Sequence, residues 1–168
     1  MGMATETLVT VEEYLNTSYS PDCDYLDGRI VERNMGEKEH SRLQYRLAAY
    51  LSAREDQWGI VGFTEQRVQV TPTRFRIPDL CVMIAPEPEE AIFRTPPFLC
   101  IEILSRDDRF GAMQEKIDDY LNFGVKYVWV IDPQTRKAHI FHASGVSEAK
   151  DGILFTTGPD IRVPLHEI

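Results

Sequence analysis

A chain of 168 residues, 43% of them apolar, is long enough to close one sizeable core and is expected to fold as a single domain over 1–168. No apolar run approaches the roughly 18–20 residues of a membrane helix, so no membrane span is expected. A net charge of −9 with no Lys/Arg run argues against tight, sequence-blind gripping of nucleic acid by a lone chain, while leaving room for a local basic groove in a dimer.

Taken in chain order, Met1–Glu6 lacks the basic-then-apolar pattern of a leader, and Glu6 breaks the myristoylation pattern, which together lead to an expected cytoplasmic location. Thr10-Val11-Glu12-Glu13 has capping-box spacing and opens a short helix to about Asn16. Tyr25-Leu26-Asp27-Gly28-Arg29-Ile30-Val31 is a hairpin, with Asp-Gly between two apolar pairs. From Glu39 to about Arg54, Leu43, Leu47, Tyr50 and Leu51 recur on one helical face. Trp58 to Phe63 and Arg67 to Val70 read as strands, Thr71-Pro72-Thr73 as a turn, and Leu80 to Ile84 as a continuous apolar strand. After a Pro/Glu-rich loop over 86–97 comes the strand Phe98 to Leu104, then a helix from about Phe110 to Phe123 stopped by Gly124, then the strand Tyr127 to Ile131. Ala138–Phe141 and Gly152–Phe155 read as antiparallel strands at the sheet edge. The three cysteines, Cys23, Cys81 and Cys100, have neither disulfide nor metal spacing and read as free thiols of a reducing compartment.

This order predicts an α/β fold, a mixed β-sheet flanked by α-helices, with an extra N-terminal hairpin and C-terminal antiparallel strands. Strand 98–104, helix 110–123 and strand 127–131 form a crossover unit, so those two strands should run parallel.

Two apolar strands each carry one carboxylate, Asp79 in Ile77-Pro78-Asp79-Leu80-Cys81-Val82 and Glu102 in Phe98-Leu99-Cys100-Ile101-Glu102-Ile103. A buried carboxylate is costly unless something positive or hydrogen-bonding meets it. If the strands are neighbours, Asp79 at the start of one lies beside Glu102 at the end of the other. Two such acids repel, and a hard divalent cation between them resolves the repulsion. The alternative is that each caps a turn or pairs with Arg76 or Arg106. In the following helix, at roughly 100° per residue, Lys116 falls inside the apolar arc between Phe123 and Tyr120, whereas Glu115, Asp118 and Gln114 point elsewhere. Its ammonium could meet both acids, or its stem could snorkel to water. His139, His142 and His166 have no zinc-ligand pattern.

Pro78-Asp79, Ile101-Glu102-Ile103-Leu104-Ser105, Glu115-Lys116, Tyr120 and the run Gly124-Val125-Lys126-Tyr127-Val128-Trp129-Val130-Ile131-Asp132-Pro133, in that order, resemble the bacterial "putative restriction endonuclease" family, once a domain of unknown function, in the PD-(D/E)XK nuclease superfamily. The resemblance covers about 10–142. It implies a restriction-endonuclease-like core over about 39–133 and Mg²⁺-dependent hydrolysis of DNA phosphodiesters, with Mn²⁺ as substitute. It makes Asp79 and Glu102 metal ligands, helped by the backbone carbonyl of Ile103, and Lys116 the catalytic lysine. The usual superfamily lysine lies two residues after the glutamate, where this chain has Leu104. Glu32 and His40 match family positions and would complete the site, with Glu65 and Gln66 as weaker candidates. Arg42, Arg46, Arg54, Arg74, Arg76, Arg106 and Arg109 could form a positive rim, the last four from loops. Cutting both strands of a duplex needs two sites, so a homodimer is expected. The competing expectation is a nuclease-fold binding or regulatory module with weak or lost catalysis.

Overall fold

The computed structural model describes residues 7–34 and 36–168; the leader reading at Met1–Glu6 lies outside them. Thr10 caps α1 (Val11–Leu15), its hydroxyl accepting from the Glu13 amide at 3.1 Å. Strands β1 (Asp24–Leu26) and β2 (Arg29–Val31) form the expected hairpin, and its two turn residues both adopt positive φ, 52° at Asp27 and 97° at Gly28. That geometry twists with the strands, and glycine at the second position admits it without steric cost. Next come α2 (Lys38–Ser52), α3 (Glu55–Trp58), β3 (Ile60–Thr64), β4 (Val68–Thr71), β5 (Arg74–Arg76) and β6 (Leu80–Ile84). Then follow β7 (Leu99–Ile103), α4 (Phe110–Phe123), β8 (Tyr127–Ile131), β9 (Ala138–His142), β10 (Gly145–Glu148), β11 (Ile153–Phe155) and β12 (Arg162–Pro164).

Among the described residues the main sheet has six strands in the order β10-β9-β8-β7-β6-β3, mixed because β7 and β8 are parallel while the other neighbours are antiparallel. A smaller sheet, β2-β1-β5-β4, carries the N-terminal hairpin. Strand alternation divides the main sheet into two faces. Leu80, Val82, Leu99, Ile101, Ile103, Trp129 and Ile131 pack with Leu43, Leu47 and Leu51 of α2 and with Leu154 and Val163 of the C-terminal hairpin. Cys81, Met83, Cys100, Val128 and Val130 face Ile117 and Tyr120 of α4 together with Val68 and Val70 of β4. Glu102 shares the parity of Cys100 and is therefore delivered to the α4 face. All three cysteines are free and buried, and burial pushes the Cys81 thiol up to about 12.

Three expectations need correction. Trp58 is not strand but the last residue of α3, and the chain turns through Gly59 at φ 63° before β3 begins. The segment after Thr73 holds a further strand, β5, which places Arg74 and Arg76 on a strand instead of in loops. Strand β4 belongs to the small sheet, where it pairs with β5. Strand β11 does not extend the main sheet; it pairs with β12 in a separate hairpin, and the edge position is taken by β10. No helix among the described residues is long and apolar enough to cross a membrane.

Candidate active site

The antiparallel register of β6 and β7 pairs Leu80 with Ile101 and Cys81 with Cys100; one step further along that register sets Asp79 opposite Glu102. Both acids are buried, 5% and 3% exposed, at the end of the sheet where the layers on its two faces approach each other. From one side comes α2, whose His40 Nε2 lies 3.2 Å from Asp79 Oδ2. From the other comes α4. Residues four apart share a helical face, and Lys116 and Tyr120 both reach Glu102: Nζ donates to Oε2 at 2.9 Å and the phenol to Oε1 at 2.7 Å. Lys116 Nζ also donates to the Ile77 carbonyl at 3.2 Å. The lysine is thus fastened to the acid, not snorkelled into water.

Asp79 is the more heavily supported acid. Arg33 Nη2 donates to Oδ1 at 3.1 Å and the Ile103 amide donates to Oδ2 at 2.7 Å. Gln44 of α2 and the Glu65 amide both donate to the Asp79 carbonyl, fixing the backbone as well. Burial opposes ionisation of this carboxyl, but the His40 hydrogen bond, the Lys116 charge and the Ile103 amide hold it below the ordinary carboxylate value. Burial pulls His40 down, but the hydrogen bond and charge of Asp79, with the charge of Glu102, raise it above its ordinary value. Glu102 goes the other way. Burial, reinforced by repulsion from Asp79, pushes it up to about 7 although Lys116 and Tyr120 resist. Lys116 itself is raised, since the charges of Glu102, Asp24 and Asp79 outweigh its burial, so it stays protonated at neutral pH.

Of the sequence-predicted residues, His40 and the Ile103 amide meet Asp79, and Lys116 meets Glu102; the two groups are coupled by charge, Lys116 acting on Asp79 and Asp79 on Glu102. Glu32 is exposed and lines the adjacent cavity. Gln66 points away, donating to the carbonyls of Arg67 and Ala91. Neither Arg76 nor Arg106 pairs with the two acids. Arg76 is bound to Asp24 and Asp119, and the Arg106 amide donates to Glu37. Arg33 is the participant that sequence reasoning missed. It follows a three-residue strand in a polar segment, 46 positions from its partner, and no periodicity singles it out.

A cavity of about 390 Å³ opens beside Glu102, lined also by Lys116, Arg33, Arg76 and Arg109. The donor set suits a hard divalent cation in chemistry and number. The two carboxylates stand at the adjoining ends of β6 and β7, and among the described residues Asp79 Oδ1 and both Glu102 oxygens each accept one hydrogen bond, leaving lone pairs to share. Among the described residues no group of three His, Cys, Asp or Glu side chains forms a fuller cage. The rest of a coordination shell would come from backbone oxygen and water, the usual habit of Mg²⁺.

The fold is shared with a solved structure, a "putative nuclease belonging to DUF820" from Anabaena variabilis, which superposes with a TM-score of 0.80 over 95% of this chain and 96% of that one at 23% identity. None of the curated proteins compared matches the chain. The Uma2 family, described as "putative restriction endonuclease", matches residues 11–158, and the chain belongs to that family.

Proposed function

We propose that this protein is a metal-dependent nuclease that hydrolyses phosphodiester bonds of DNA, with Asp79, Glu102 and the Ile103 carbonyl as metal ligands. The observation that carries the reading is two buried acids at the adjoining ends of neighbouring strands with one ammonium from the helix behind them, Lys116 Nζ to Glu102 Oε2 at 2.9 Å. A bound Mg²⁺, or Mn²⁺ in its place, would supply polarisation of the scissile phosphate and acidify an attacking water. The residues supply the remainder. Protonated Lys116 has no lone pair with which to take a proton, so it acts as a donor, orienting the attacking water and offsetting negative charge as it develops. Tyr120 holds the second oxygen of Glu102 and so fixes the rotamer of the ligand acid. His40 and Arg33 do the same for Asp79 and neutralise it. Glu32 lines the cavity wall, from which it would meet substrate or its ions. Leu104, at the position of the usual lysine, packs against the apolar cluster under α4, which leaves the helix as the source of the amine.

A plasmid-nicking assay in MgCl₂ tests the reading. Asp79→Asn, with an unchanged circular dichroism spectrum, should reduce cleavage at least about 100-fold, the scale of one electrostatic catalytic group. Cleavage that survives both Asp79→Asn and Lys116→Ala would refute it. One observation favours a second reading, a nuclease-fold binding module: each acid already has an internal cation, Arg33 for Asp79 and Lys116 for Glu102. Calorimetric Mg²⁺ binding without any cleavage, unchanged in Lys116→Ala, would select that module.

A further inference from the structure

Among the described residues, three buried side-chain nitrogens have no hydrogen-bond acceptor: Arg33 Nη1, Arg76 Nη2 and Trp129 Nε1. The indole sits in the apolar core on the α2 face of the sheet. The other two belong to guanidinium groups whose side chains are only 6% and 5% exposed, and both of these line the cavity beside Glu102 and Lys116. An unpaired buried donor is expensive and rare in native proteins, and two of them at one cavity call for an acceptor that enters from outside.

Other nitrogens of both groups are already engaged. Arg33 Nη2 is held by Asp79. Arg76 Nε is held by Asp119 at 2.7 Å and Nη1 by Asp24 at 3.2 Å, while Nη2 lies 3.9 Å from Glu115, beyond hydrogen-bonding distance. Arg76 is therefore oriented by two acids and Arg33 by one, and each keeps a buried nitrogen without an acceptor. Planar, always-charged groups pre-oriented in this way suit the oxygens of a phosphate.

Resting on the nuclease reading above, we infer that Arg33 and Arg76 form a phosphate clamp: each uses its unpaired nitrogen to hold a non-bridging oxygen of a phosphate group next to the Asp79–Glu102 pair. The cavity's charge conditions this role. Four cationic side chains line it, Arg33, Arg76, Arg109 and Lys116, against five acidic ones, Asp24, Glu32, Glu102, Asp107 and Asp108. An anion entering alone meets a slightly negative wall, and a divalent cation at the acids reverses that sign. Phosphate binding is accordingly coupled to the metal, each strengthening the other.

The test is NMR of the full chain with isotope-labelled arginine, titrated with inorganic phosphate and, separately, with the dinucleoside phosphate TpT, with and without MgCl₂. The guanidinium resonances of Arg33 and Arg76 should shift saturably, more tightly with MgCl₂ present. Arg33→Lys, which keeps the charge opposite Asp79 but loses the fork, should weaken binding about tenfold or more, while exposed Arg162→Lys in the C-terminal hairpin changes nothing. Saturation by TpT identifies an internal diester as the ligand, and saturation by inorganic phosphate alone a terminal phosphate; either sustains the clamp. No saturable shift at these two arginines, or an equal shift at exposed ones, overturns it, and the wild-type titration decides this even if Arg33→Lys fails to fold. Shifts without plasmid nicking would sink the nuclease reading and leave the clamp standing; nicking without shifts would do the reverse.

Discussion

Glu102 and Lys116 are individually costly to bury and tolerable only together, which makes the helix lysine a structural group as well as a proposed catalytic one. The folded-state value of Glu102, about 7, lies above its ordinary 4.5. The folded protein therefore holds that proton more tightly than the unfolded chain, and stability falls as pH rises from about 4.5 to about 7. Removing the amine extends this fall to higher pH, because the acid is then buried beside Asp79 without its counter-charge. Lys116→Met should cost about 3–5 kcal/mol near pH 8, the usual penalty for a broken buried pair. The cost should shrink by about 1 kcal/mol or more near pH 5.5, where Glu102 is protonated in both proteins. Chemical denaturation at the two pH values measures it. The same titration governs the proposed metal site, since a carboxylate ligand must lose its proton. Mg²⁺ affinity measured by calorimetry should fall up to about tenfold per pH unit below about 7. Both acids and the lysine were legible in the sequence, because a charge inside an apolar strand or arc breaks a period that can be counted. Arg33 was not, because its role exists only through a contact that the fold creates.

At the scale of elements, the site depends on how α4 is fixed against the sheet. Gly124 ends the helix at φ 114°, and its amide closes back onto the carbonyls of Tyr120 and Leu121. A Cβ here would stand 3.2 Å from Pro96 Cγ, in a backbone conformation that side chains rarely adopt. Gly124→Ala should destabilise the protein by about 1–2 kcal/mol. It should also lower activity beyond what stability explains, because Tyr120 and Lys116 lie one and two turns back on the same helix; melting curves beside nicking rates separate the two effects. The helix, its glycine stop and the parallel strands around it were readable because strong periodicity coincides with a terminator. Short strands were not. β5 is three residues long with arginine at both ends, and a three-residue strand carries too little alternation to count. What makes it a strand is tertiary: Phe75 is fully buried among Tyr14 and Tyr25, and the flanking arginines are tied to Asp27, Asp24, Asp119 and Glu115. Strand β11 misled for a related reason. Its apolar alternation signals a buried face but not which sheet supplies the partner: β11 pairs with β12 even though β10, at the main-sheet edge, lies nearer in sequence.

For the whole molecule, a net charge of −9 has to be reconciled with the proposed polyanionic substrate. The cations near the site are mostly spent internally, Arg33 on Asp79, Arg76 on Asp24 and Asp119, and Lys116 on Glu102. Few phosphates can then be neutralised by free side chains, and the counterion-release slope should be shallow. Raising monovalent salt from about 50 to 200 mM should weaken DNA binding by about tenfold or less, against the roughly 10³–10⁵-fold loss of a protein that contacts six to ten phosphates. Fluorescence anisotropy at constant MgCl₂ measures this, and a steep slope would mean that a basic face is assembled from more than one chain. The question of assembly follows from the site itself. One chain brings together a single Asp79–Glu102–Lys116 cluster, which on the proposed nuclease reading would break one strand at a time. If the protein works as the homodimer that duplex cleavage calls for, light scattering should give twice the mass of one chain. Supercoiled plasmid should then pass to the linear form without a build-up of nicked circles. A monomer would accumulate nicked circles first, because each strand would wait for an independent encounter with an acidic enzyme that DNA repels at long range.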